Sequence, residues 1–387
     1  MGKKRFLIVL LIMTSLFIPG CWNYSEISDK RIVSGAAVDY NKEKNMLELT
    51  VEIVRPVMEG GQTQIKPENF TGLGDNLFNA IRNLISKTGK KVFWSHAKVF
   101  ILSEDIIKEK EKFLSIIDFI KRDSETRDDI MLLVSREETA KKIFETNAKV
   151  QEINSFHLED MLQNQKSISK YRAVPLWKFV DELSTEGISP TLPTVNIAEF
   201  NKKKIGQIFG TAVFKGLEKI GWLNGSETKS FLFVIDELKG GTLVTEETEI
   251  TKEPIRITFE IFNNKTKVKP IYRDGKLTMK VDIKTMVNII EIDGTLDFMD
   301  EKNLGMIQKN GEDTIEKMVQ DVIKKVQEEY KSDIFGFGAI VSREMPELWT
   351  VLKTDWENTF SKLDVEVDGT LNIRGSALRS KTIKIGD

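Results

Sequence analysis

A single cysteine in a chain of 387 residues, at position 21, sets the terms on which this sequence can fold. It follows a leader of Lys3-Lys4-Arg5, an apolar run from Phe6 to Ile18, and Pro19-Gly20. A charged head, a short apolar stretch and a small residue before the cut make residues 1–20 a secretory signal peptide. The apolar run falls short of the roughly 20 residues that a bilayer span needs. An exported chain with one cysteine closes no internal disulfide, so packed cores must hold it together. Its length allows two or three domains at roughly 100–200 residues each.

Gly20-Cys21 after an apolar run resembles the bacterial lipobox, in which the cysteine is diacylated and becomes the new N-terminus. Pro19 stands where that pattern has a small or hydroxylated residue. The resemblance implies Cys21 as a lipid attachment point. Two acyl chains, at roughly 0.8 kcal/mol per buried methylene, hold a protein on a membrane where one chain does not. The plainer alternative is a secreted protein with an incidental free thiol. No later hydrophobic run approaches 18 residues, so the expectation is a water-soluble body tethered to the outer face of a membrane. Charge is nearly balanced, with 57 Lys and Arg against 59 Asp and Glu. No basic stripe with interleaved aromatics appears, which argues against nucleic acid as a partner.

Beyond a short polar tether, Ile32–Tyr40 and Met46–Val54 predict a hairpin. Leu47, Leu49, Val51 and Ile53 alternate with Glu48, Thr50 and Glu52, as in a half-buried strand. Pro56–Gly74, with Gly60-Gly61, polar amides and Pro67, predicts a mobile loop. Asn76–Ser86 follows as a helix. Lys91–Leu102 reads as one apolar strand carrying Trp94 and His96, and Phe113–Ile120 as a helix. Ile130–Val134 is a buried strand, after which Ser135 and Glu138 predict a capping box for a helix through Ile143. Helices around Phe156–Leu162 and Leu176–Leu183 complete an α/β alternation that ends near Pro190 and Pro193.

Gly206–Lys215 and Gly221-Trp222 predict a small hairpin, Glu227–Ile235 a helix, and Gly240-Gly241 a boundary. Ile255 to Ile261 and Leu277 to Ile283 alternate as two long antiparallel strands. Ile315, Met318, Val319, Val322, Ile323, Val326 and Tyr330 form one continuous helical stripe, best read as covering a sheet. Leu363 to Ile373 alternates as a last strand. The expected architecture is mixed α/β and α+β. It divides into an N-terminal α/β domain over 21–200, a small middle domain over 201–250, and an antiparallel sheet with a long helix over 251–387.

A catalytic constellation is not apparent. His96 and His157 are the two histidines, and neither has a partner at i+4, so the paired-histidine zinc signature is missing. There is no P-loop and no G-x-S-x-G elbow. Gly336-Phe337-Gly338 lacks the third glycine of a dinucleotide fingerprint. Asp128-Asp129 precedes an apolar strand and reads as solvated strand-end charge rather than a catalytic pair. His96, inside an apolar run, reads as a hydrogen-bonded core or edge histidine. Arg122, Asp123, Glu125 and Arg127 form a dense charged turn, either an ion-pair cluster or a partner contact. No cofactor and no metal is expected.

Taken in order, several segments resemble the Ger(x)C spore germination lipoproteins. They are Cys21-Trp22 with Ile32-Val33-Ser34-Gly35, Trp94-Ser95-His96-Ala97-Lys98-Val99, Arg122-Asp123 with Glu125 and Arg127, and Gly210-Thr211-Ala212-Val213-Phe214-Lys215. Asp333-Ile334-Phe335-Gly336-Phe337-Gly338 follows, with Trp349 and Trp356. Asn23 replaces the acidic residue common after Cys-Trp. The resemblance spans nearly the whole mature chain. It implies three α/β-type domains and the non-enzymatic C subunit of a nutrient germinant receptor. That subunit would lie on the outer face of the spore inner membrane, beside integral membrane A and B subunits. Direct nutrient binding is not implied. Trp94, His96, Arg122, Asp123 and Arg127 are the candidate partner-contact residues. The competing reading is a lipid-anchored solute-binding protein of a transporter, which would need a cleft between two similar lobes. A surface hydrolase would need a site that the sequence does not show.

Overall fold

The computed structural model describes residues 30–146, 153–247, 255–293 and 301–376, with residues 2, 3 and 6; Cys21 and the tether 22–29 lie outside these. The fold is mixed α+β, built on two sheets. In the first, β1 (Lys30–Asn41) and β2 (Met46–Glu59) form the expected hairpin, with Val38 opposite Leu49 and Tyr40 opposite Leu47. Residues 62–74, expected as loop, are instead β3 (Gln62–Gly74), paired with β2 along its whole length. Gly60 and Gly61, at φ 60° and 80°, make the two-residue turn that the hairpin requires. Pro67 is tolerated because β3 is an edge strand.

On the other side of β1 the strands run parallel: β4 (Lys91–Phe93) and β5 (Val99–Leu102) against β1, then β6 (Met131–Ser135) and β7 (Thr191–Phe200). The single strand expected over 91–102 is thus two, interrupted at Trp94–Lys98. β8 (Lys203–Lys215) and β9 (Glu218–Leu223) close the sheet antiparallel, in the order β3-β2-β1-β5-β6-β7-β8-β9. Helices α1 (Leu77–Thr88), α2 (Glu104–Lys108) and α3 (Lys110–Arg122) bury Leu84, Ile106, Phe113 and Ile116 against one face. The other face packs against a 3-10 turn (Ala140–Ile143) and α4 (Asn154–Gln163) through Ile143 and Leu158. Covered on both sides, the central strands show no alternation: Val99, Phe100, Ile101 and Leu102 are all buried.

The second sheet has the order β10-β11-β12-β13, comprising Gly241–Glu247, Ile255–Arg273, Lys276–Ile292 and Asp364–Ser376. β11 and β12 pair antiparallel as expected, and β13 joins β12 in parallel. After α5 (Gln165–Ile168), α6 (Leu176–Ser184) and α7 (Gly225–Val234), α8 (Glu301–Lys325) crosses this sheet. Ile315, Val319, Val322 and Ile323 of its stripe are buried, each contributing about 1.5–3 kcal/mol over an exposed position. The stripe continues into a π-helical turn, Val326–Tyr330, where Val326 is buried and the Tyr330 hydroxyl donates to the Trp222 carbonyl at 2.8 Å. α9 (Phe337–Glu344), α10 (Pro346–Leu352) and α11 (Trp356–Ser361) complete the layer. Among the described residues, 201–247 build no sheet of their own. β8 and β9 extend the first sheet, while α7 and β10 enter the core of the second.

Candidate interaction surface

The two loops that lead into β5 and β6 carry four of the five candidate residues. Trp94 directly follows β4, and its side chain is buried. It underlies a groove of about 230 Å³ between α1 and α3, lined also by Phe78, Arg82, Lys91, Phe119 and Asp123. Phe78 is half exposed. Its ring lies 6.2 Å from Phe119, and the Arg82 guanidinium sits over it at 4.8 Å. The sequence pointed to neither Phe78 nor Arg82. The available signal was Phe78 on the helix side away from the buried Leu77, Ala80 and Leu84.

His96 is exposed, in the interruption between the strands rather than within one, so its expected place in the core or at a strand edge does not hold. Its ring stands 6.0 Å from Phe93. With Ser95, Lys98, Arg127, Asp129 and Glu159 it lines a second depression of about 320 Å³. Ser95 Oγ donates to the Glu125 carbonyl at 3.1 Å and ties the two loops together.

Charges in the turn are largely paired among themselves. Asp123 Oδ1 accepts the Glu125 N–H at 2.8 Å, an Asx turn that ends α3. Arg127 donates from Nε to Asp129 at 2.8 Å, Lys121 pairs with Asp128 at 2.9 Å, and Lys98 with Glu159 at 3.0 Å. The Arg127 hydrogen bond holds the Asp129 carboxyl below the usual range, and the same bond raises Arg127. Arg122 pairs with Asp118 one turn back on α3 and lines neither depression. Exposed pairs of this kind add little to stability and leave a surface of mixed sign. This surface lies at the amino edge of the parallel strands, whereas open α/β sheets bind small ligands at the carboxyl edge.

The remaining signature residues are architectural. Asp333 is buried, and its carboxylate accepts the N–H groups of Phe335, Phe337 and Gly338 and the indole N–H of Trp356. Burial pushes it up to about 6, against the pull of those hydrogen bonds. Phe335 and Phe337 stack at 5.2 Å in the core, and Trp349 meets Trp356 edge-on at 5.2 Å. Gly336-Phe337-Gly338 therefore opens α9 over a capping carboxylate.

Two further carboxylates do similar work. Glu52, expected on an exposed face, is fully buried and accepts from the backbone of Asn154 and Ser155 at 3.0 and 2.9 Å, capping α4. Asp39 accepts from Ala140 and Lys141, so the capping box of Ser135 and Glu138 does not form. Asp128 and Asp129 are spent in surface ion pairs.

Among the described residues no group of three or more His, Cys, Asp or Glu is placed to hold a metal ion, and no helix is long and apolar enough to cross a membrane. The two sheets differ in strand number and order, so they do not form matched lobes around a cleft. Together these features define a class: a two-sheet α+β protein with an exposed surface of mixed charge at the amino edge of its parallel strands. Residues 23–197 match the family described as spore germination protein N-terminal domain, and residues 209–377 match spore germination B3/GerAC like, C-terminal. The chain belongs to this family, the Ger(x)C spore germination proteins.

Spore germination protein KC of Bacillus subtilis (strain 168) is 23% identical over 412 residues, covering 99% of this chain and 98% of its own. Spore germination protein B3 of the same organism is 26% identical over 376 residues, covering 96% and 97%. The crystal structure of the GerBC protein matches in fold at a TM-score of 0.55 and 22% identity, over 88% of this chain and 97% of that one.

Proposed function

We propose that this chain is the C subunit of a nutrient germinant receptor. Acyl chains on Cys21 hold it to the outer face of the spore inner membrane, and it acts there with integral membrane A and B subunits. It performs no catalysis and binds no cofactor. Its partners bind the nutrient, and this chain stabilises the assembly that responds. Tethering raises the effective concentration of the docking surface toward membrane partners. The observation that carries this reading is that the loops into β5 and β6 bring His96 and Arg127 into one exposed depression, beside a groove lined by Asp123 over the buried Trp94, in a chain matching both halves of the germination family.

The test is nutrient-triggered germination of spores carrying Arg127→Glu. Arg127 is exposed and its ion pair is of the weak surface kind, so the variant folds and accumulates normally. Germination slows several-fold at an unchanged protein level. A wild-type rate would contradict the docking role of this surface.

A further inference from the structure

Beyond Ile53, the last residue of β2 paired with β1, the strands β2 and β3 pair only with each other: Val54 with Pro67, Pro56 with Ile65, Met58 with Thr63, and so to Glu59 with Gln62. The six pairs form a ribbon about 20 Å long at roughly 3.3 Å per residue. Its two faces differ in chemistry. Directly opposed residues share a face, so Val54, Pro56, Met58, Thr63, Ile65 and Pro67 lie on one side. Charged Arg55, Glu59 and Lys66 lie on the other. The apolar side is uncovered: Met58 is 70% and Ile65 51% exposed. A lone two-stranded ribbon that shows such a face to water is poorly stabilised by itself, and a hydrophobic edge of this kind calls for a cover.

The ribbon points toward the end of the molecule where the chain enters. Val33 lies opposite Ile53, so Lys30 lies about three residues further along, and the tip at Gly60-Gly61 passes Lys30 by about 10 Å. Lys30 stands nine positions after Cys21, a reach of at most about 30 Å. We propose that this ribbon is a second membrane contact, laying Met58, Ile65 and Pro56 into the lipid interface while the acyl chains on Cys21 hold the body there. The inference rests on the anchoring at Cys21 put forward above. Lys66 and Arg55 on the polar side then stand at headgroup level. The contact fixes which face of the protein looks toward the membrane, which a flexible tether alone does not.

The test uses the full, lipidated chain in vesicles of phosphatidylglycerol and phosphatidylethanolamine. An environment-sensitive dye is placed through Met58→Cys, with Glu43→Cys in the β1–β2 turn, at the far end of β1, as the control. Both sites are exposed, and the acylated Cys21 does not react. Quenching by nitroxide-bearing lipid is expected to be several-fold stronger at position 58 than at 43. Equal, weak quenching at both sites, with the N-terminal peptide showing its diacyl mass, overturns the ribbon contact and leaves the anchor standing. An unmodified N-terminal peptide on protein that leaves the vesicles overturns both. In spore membranes, a label at 58 shielded from aqueous iodide but out of reach of lipid quencher overturns the lipid contact in favour of a protein surface.

Discussion

At the scale of single residues, the Asp333 carboxylate accepts four N–H groups in a site almost closed to water, and burial holds it up to about 6 from its ordinary 3.8. The folded chain therefore binds this proton more tightly than the unfolded chain. Its contribution to stability is full below about pH 4 and is lost as pH rises through about 6. Asp39, also raised to about 6 by burial, adds a term of the same sign. In Asp333→Asn one acceptor oxygen becomes a donor facing N–H groups, a loss of about 1–3 kcal/mol. Urea midpoints should fall at pH 7, and the part of the pH 4–7 dependence due to Asp333 should vanish. An unaltered pH profile would remove Asp333 as its source. The sequence marked the segment around Asp333 through a family signature but gave no physical reason for it. The carboxylate's donors come from residues up to 23 positions away, and no local pattern announces that.

Elements with a clean period were legible. The α8 stripe and the alternation of β11 and β12 repeat at the spacing of a one-sided face, and each has one covered side. Residues 62–74 were not, because an edge strand rich in polar residues has a loop's composition and gains its order from pairing with β2. Lys91–Leu102 failed for the opposite reason: apolar residues on both sides of Ser95-His96 suggested one strand and hid the break at Trp94, which is buried beside the groove between α1 and α3.

The seam between the sheets was also invisible in sequence. There Gly187 abuts Gly338 at the start of α9, and Ala339 donates to the Gly187 carbonyl at 3.0 Å. A Cβ at 338 would lie 2.7 Å from both Gly187 Cα and Trp356 Nε1. Gly338→Ala should cost about 1–3 kcal/mol through overpacking. Thermal unfolding measures it, and a wild-type midpoint would mean that the seam yields freely.

Across the whole molecule, Arg172 joins the two halves. Its buried guanidinium reaches Glu182 of α6 and Glu237 just beyond α7, at 3.0 and 2.7 Å, while the nearby Lys178 also reaches Glu237 at 2.7 Å. Although burial opposes ionisation, Arg172 and Lys178 hold Glu237 at about 2, so this carboxylate stabilises the fold above about pH 4 and stops doing so as pH falls through about 2. Arg172→Met strands Glu182 and leaves Glu237 to Lys178 alone, and should cost about 3–5 kcal/mol in urea unfolding at pH 7. A loss below about 1 kcal/mol would show that the halves hold without the pair.

At this scale the family and its two-sheet fold are secure, and the reading of function turns on the membrane. Cys21→Ala should give a folded chain that leaves the membrane fraction. The most direct measurement is purification of the tagged chain from dormant-spore membranes, with mass spectrometry of what accompanies it. The account predicts two multi-spanning membrane proteins, present with the wild-type chain and depleted with both Cys21→Ala and Arg127→Glu. Recovery of a transporter, or of no membrane protein at all, would contradict it.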